Sequence, residues 1–116
     1  VAFEKGDCAL KLLPFLAKVT RYRIFRDERG LMNKSLLDVS GDLLIVSQFT
    51  LAADTKKGLR PSFSSGLPSE EAKKLYDGLV RLARKKYDIK IEEGSFGSEM
   101  DVKLTNAGPV TFVLDL

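Results

Sequence analysis

Between Ser69 and Lys86, apolar side chains recur at Ala72, Leu75, Tyr76, Leu79, Val80 and Ala83. This i, i+3, i+4, i+7 spacing belongs to an amphipathic helix with one buried face. Charge agrees with the direction of the helix. Glu70 and Glu71 lie at the start, where the macrodipole favours acids, and Arg84, Lys85 and Lys86 at the end, where it favours bases. Ser69 is placed to cap the N-terminus. A long helix with a single apolar stripe needs another layer against it, so the rest of the chain has to supply one.

The candidates are strands. Asp42–Leu51 reads as the strongest strand, and its continuously apolar start, Leu43-Leu44-Ile45-Val46, suggests burial on both faces. Tyr22–Phe25 reads as a short strand, followed by a turn at Asp27-Glu28-Arg29-Gly30. Ile89–Glu92 is another. Met100, Val102 and Leu104 alternate with Asp101, Lys103 and Thr105, and Val110, Phe112 and Leu114 with Thr111, Val113 and Asp115, so a hairpin around Asn106-Ala107-Gly108-Pro109 is expected. Ala9–Arg21 predicts a second helix that Pro14 starts or kinks. Ala52–Leu67 carries Gly, Pro, Ser and basic residues without a period and reads as a long loop. With 116 residues there is room for one domain, of mixed α and β (α+β) type, with a mainly antiparallel, barrel-like sheet and flanking helices.

Composition removes whole classes of chemistry. The chain contains no His, so Ser-His-Asp and Cys-His catalysis and His-containing zinc sites are excluded within it. The single Cys8 has no partner for an internal disulfide, which suits a cytoplasmic protein, and no His to activate it. Asp38, Asp42, Asp101 and Asp115 show no metal or paired-carboxylate spacing. Neither a metal nor a cofactor is expected. Gly94-Ser95-Phe96-Gly97 lacks the strand, helix and Lys of a phosphate-cradling loop. No apolar run is long enough to span a bilayer. A net charge of +3 permits an anionic partner such as RNA without requiring one.

Three segments are candidates for chemistry. Ser47-Gln48-Phe49-Thr50 ends the buried strand just before the long loop, a place where fixed side chains meet open space. Alternatively, Ser47 and Thr50 satisfy only local backbone groups. Asn106-Ala107-Gly108-Pro109-Val110-Thr111 offers a Gly-Pro turn with bare carbonyls that can grip an ammonium group and reject one chirality, or is an ordinary hairpin turn. Lys56, Lys57 and Arg60 can meet phosphates or be solvated, and Phe63 beside them can stack on a base or anchor the core.

Taken together, Ser47-Gln48-Phe49-Thr50-Leu51 and Asn106-Ala107-Gly108-Pro109-Val110-Thr111 resemble the paired signature of the D-aminoacyl-tRNA deacylases. Tyr22-Arg23-Ile24-Phe25, Met32-Asn33-Lys34-Ser35-Leu36, Ala53–Gly58, Arg60-Pro61-Ser62-Phe63, Glu71–Tyr76 and Phe96-Gly97 before Met100 resemble family segments in the same order, so the likeness covers nearly the whole chain.

The resemblance implies a proofreading hydrolase that cuts the ester of D-aminoacyl-tRNA, and possible action on glycyl-tRNA mischarged on tRNA(Ala). It implies a homodimer with the active sites at the subunit interface. Ser47, Gln48, Phe49 and Thr50 of one subunit would carry the catalytic pocket, with backbone N–H groups near Phe49 and Thr50 for the oxyanion. Gly108 and a cis Pro109 of the other would be the chiral selector. Asn106, Val110, Thr111, Phe96 and Met100 would complete the substrate site. The ribose 2′-OH of the tRNA would help to activate water, which fits a chain without His.

Family members also carry N-terminal strands, including an early Gln-Arg-Val segment, ahead of the position of Val1, so those strands are expected to be missing here. Two other readings compete with the hydrolase: a non-catalytic RNA-binding module working through the basic loop, and an inactive truncated remnant.

Overall fold

The computed structural model describes residues 1–116. Helix α2 spans Ser69–Lys86, and Ala72, Tyr76, Leu79, Val80 and Ala83 form its buried face, as the spacing predicts. The cap differs from expectation. Pro68 is the N-cap, and Ser69, already the first helical residue, makes no capping bond. The carbonyl of Pro68 accepts from the Ala72 N–H at 2.9 Å. The start therefore depends on the conformation of Pro68 and on Glu70 and Glu71 near the exposed N–H groups. Lys74–Glu70 and Lys73–Asp77 ion pairs lie along the solvent face at i, i+4.

A 3₁₀ turn at Ala9–Lys11 leads into α1, Leu12–Arg21. Pro14 is the third residue of α1, inside the first turn, where its missing N–H costs no intrahelical bond. Leu12 and Leu16 face α2, and the buried Thr20 hydroxyl is satisfied by donating to the Leu16 carbonyl at 2.8 Å. A Cβ built on Gly78 of α2 would sit 3.4 Å from Leu12 Cδ1, so the two helices approach closely there.

The strands are shorter than the sequence suggests. β1, Phe25–Arg26, pairs antiparallel with β2, Met32–Lys34, through a bulge. The turn between them forms as expected, with Gly30 at φ 80°. β3 is confined to Leu43–Ile45 and runs parallel to β4, Ile91–Glu93, in the register Leu43 to Ile91. Ile45 and Ile91 pack against α1 and α2, whereas Leu44 points to solvent at 57% exposure. The expectation of burial on both faces of β3 is thus corrected, because the two-stranded sheet has a helical layer on one side only. After Gln48 the chain turns into a 3₁₀ helix at Phe49–Ala52 instead of continuing as a strand.

The expected hairpin does not form. Residues 98–116 contain no strand, and Val102, Leu104 and Phe112 remain exposed. A two-stranded hairpin is marginal unless a further strand or helix covers its apolar face. The segment touches the body where Phe112 meets Tyr22 edge-on, with centroids 5.6 Å apart. The Gly108–Pro109 peptide is trans, which corrects the expected cis bond. In an exposed turn nothing offsets the trans preference of an X–Pro bond, about 0.5–1 kcal/mol.

The accessible surface is 8924 Å². A folded monomer of this mass would expose roughly 6,300 Å². No helix is long and apolar enough to cross a membrane.

Candidate functional site

Where β3 and β4 end, their chains diverge and leave a cleft of about 790 Å³. Val46–Phe49 forms one wall and Phe96–Met100 the other. Val1–Phe3 also line the cleft. The Gln48 N–H donates to the Val1 carbonyl at 2.8 Å, and the Leu67 N–H to the Phe3 carbonyl at 2.9 Å. The first residues thus lie between the Ser47 wall and the end of the long loop. A volume of this order, with a mainly apolar lining and a few polar groups, suits a small-molecule-sized ligand.

Ser47, Gln48, Phe49, Phe63, Phe96 and Met100, all singled out in the sequence, meet in this cleft. Thr50 is just outside the lining, and its Oγ1 accepts from Gln48 Nε2 at 2.7 Å, which fixes the amide of Gln48. Phe49 meets Phe63 edge-on at 5.0 Å between centroids. That contact brings the basic loop to the rim. The loop is closed by paired backbone bonds between Asp54 and Ser62, with Lys56, Lys57 and Arg60 exposed on it. Asn106, Gly108, Pro109, Val110 and Thr111 do not line the cleft. They are exposed, consistent with the unformed hairpin.

Sequence reasoning missed Val1–Phe3, Ser69, Ser98 and Glu99, all of which line the cleft. Their signal is topological: the N-terminal segment and the start of α2 reach the site only once the fold is known. The second wall is held from within. The Ser95 N–H lies 3.3 Å from Met100 Sδ, and the hydroxyls of Ser95 and Ser98 are 2.9 Å apart. A Cβ on Gly94 would come within 3.2 Å of Met100 Sδ and 3.3 Å of Val46 Cγ1, so the walls converge there with no slack. Beneath them, the buried Tyr76 hydroxyl bonds to backbone carbonyls at the strand ends. Burial pushes that phenol above its ordinary range, so it is a hydrogen-bond donor at neutral pH.

The family model described as D-Tyr-tRNA(Tyr) deacylase matches residues 1–115. A D-aminoacyl-tRNA deacylase of Xanthomonas campestris pv. campestris (strain 8004) is 51% identical over 114 residues, 98% of this chain and 78% of that protein. One from Pseudomonas aeruginosa (strain LESB58) is 53% identical over 113 residues, 97% of this chain and 75% of that protein. Among solved structures, a c-Myc DNA Unwinding Element Binding Protein superposes with a TM-score of 0.86 at 35% identity, over 95% of this chain and 74% of that one. A probable eukaryotic D-amino acid tRNA deacylase shares the fold, with a TM-score of 0.67 at 18% identity, over 85% of this chain and 72% of that one.

Proposed function

Because the chain belongs to the D-Tyr-tRNA(Tyr) deacylase family, we propose that its cleft takes the aminoacyl end of a tRNA and hydrolyses the ester of a D-amino acid. The observation that carries this reading is the convergence of Ser47, Gln48 and Phe49 with Phe96 and Met100 around one cleft.

The chemistry asked of the protein is modest. Water adds to the ester carbonyl, the resulting oxyanion collapses, and the carbon–oxygen bond to the ribose breaks to release the amino acid and the tRNA. In a chain without His, the tRNA's own 2′-OH is the group that orients and activates the water, and the protein supplies position. At the Phe49–Ala52 turn the first N–H groups, those of Phe49 and Thr50, have no partner inside the turn by its geometry. Such donors can stabilise an oxyanion. Gln48, held by Thr50, and the ring of Phe49 are suited to the terminal adenosine. The exposed Lys56, Lys57 and Arg60 beside Phe63 lie where the phosphates of the acceptor end would pass.

The selector belongs to a second subunit in this reading. Gly108 and Pro109 are far too exposed to act within one chain, and the apolar residues around them lack cover. In a homodimer the partner's copy of this turn would face the cleft, its carbonyls admitting a D or achiral aminoacyl group, with Asn106, Val110 and Thr111 supporting it. Glycyl-tRNA mischarged on tRNA(Ala) would then also be a substrate, and the enzyme would work in the cytoplasm.

The test is release of amino acid from matched D- and L-tyrosyl-tRNA, with a chelator present. Loss of the D ester alone is expected. Salt-sensitive binding without turnover would instead support the RNA-binding alternative. Equal loss of both esters would overturn chiral selection.

A further inference from the structure

We infer that Tyr76 is a positioning residue that sets the width of the cleft, an inference that rests on the functional reading above for its consequence in turnover. Tyr76 lies on α2, outside the cleft lining, and is 1% exposed. Its hydroxyl is 2.8 Å from the Ile45 carbonyl and 3.1 Å from the Gly94 carbonyl. A phenol has one proton, so it is shared between these two acceptors. The Ile45 carbonyl also accepts from the Gly94 N–H at 2.9 Å. Both carbonyls stand at the point where the paired strands part. From Ile45 the chain passes directly into Val46–Phe49, and from Gly94 directly into Ser95–Met100. One hydroxyl therefore pins the bases of the two walls to the same helix.

Two further observations make this a control on width. The Tyr76 ring packs against Phe96 of the second wall, with centroids 5.5 Å apart and planes tilted by 47°. At Gly94 the side chains of Val46 and Met100, one from each wall, already touch the space a methyl group would need. The walls are thus held together by the hydroxyl and kept in contact by the missing Cβ. Removing either constraint moves the walls apart without changing any residue that lines the cleft.

Two variants act on these two constraints. Tyr76→Phe keeps the ring and its contact with Phe96 but frees the carbonyls. Gly94→Ala keeps the hydroxyl but inserts a methyl between Val46 and Met100. Deacylation is measured with D-tyrosyl- and D-alanyl-tRNA, and the ratio of the two kcat/KM values is compared. That ratio does not depend on how much of each preparation is folded. Both variants are expected to shift it toward the bulkier aminoacyl group by about threefold or more, within the range expected for modest changes in pocket fit.

A ratio unchanged in both variants would overturn the inference. Amide hydrogen exchange gives an arm independent of turnover: protection of the Gly94 N–H should fall by about tenfold in Tyr76→Phe while that of Leu79 and Val80 in α2 holds. Unchanged Gly94 exchange would overturn the inference even if the esters are cut. A wild-type chain that cuts neither ester, with Gly94 exchange responding as expected, would overturn the functional reading and leave the role of Tyr76 in the cleft standing.

Discussion

Asp27 shows how much one exposed side chain can organise. Its Oδ1 accepts from the Arg29 and Leu31 N–H groups, both at 2.9 Å, and its Oδ2 from Asn33 Nδ2 at 2.8 Å. The side-chain bond from Asn33 and then the backbone donors hold its carboxyl below the ordinary aspartate value. The sign follows from linkage. A depressed folded value means that the unfolded chain binds the proton first, so the stabilisation is present above the unfolded value of about 3.9 and is lost as pH falls through the folded one. Asp27→Ala should therefore melt lower than wild type at pH 7, and that difference should shrink as the pH falls below the ordinary aspartate value, as thermal unfolding across that range will check. Residues of this kind were legible as a turn from Asp27-Glu28-Arg29-Gly30. Capping chemistry alone points to Ser69 and does not reveal that Pro68 takes the cap position. Ser47, Gln48 and Phe49 were found from their order in the sequence, whereas Glu99 and Ser98 carry no local mark of the cleft they line.

At the scale of elements, α2 was legible from end to end because its period is set by its own geometry and by one buried face. The strands were less so. β3 reads as long because apolar residues continue past Ile45, but its pairing with β4 ends at Ile45 and Glu93, with one last bond from the Gly94 N–H to the Ile45 carbonyl, and the chain then turns. Alternation at Met100–Leu114 records which face is meant for burial, not whether a partner is present, and the isolated hairpin is too weak to form alone. The helix pair offers a direct test. Gly78 lies inside α2, where Gly costs roughly 0.5–1 kcal/mol relative to Ala, and a methyl there would rest 3.4 Å from Leu12 Cδ1, an ordinary contact. Gly78→Ala should stabilise the chain by about that amount in urea unfolding. A loss of stability would mean that α1 has no room to accept the methyl.

The whole molecule exposes more than its mass warrants, and apolar residues between Val102 and Leu116 are part of that exposed surface. The Cα radius of gyration, 15.4 Å, likewise exceeds the value of about 13 Å expected for a domain of this length. In the proposed homodimer this surface would be covered. Sedimentation should then give twice the mass of a single chain, and Val113→Asp, at a position 81% exposed here, should shift the balance toward monomer without altering the monomer's own fold. The pairing of β3 with β4 has a separate consequence for how the molecule forms. A parallel pair demands a crossover, and here the crossover is the entire stretch from the Phe49 turn through α2. The entropy of closing that loop must be met before the pairing gives anything back. Each helix, with its local contacts, is accordingly expected to form early, and the docking of α1 on α2 and the pairing of the strand ends, which both close long loops, to follow. The cleft, lying beyond those ends, would be the last part of the chain to assemble.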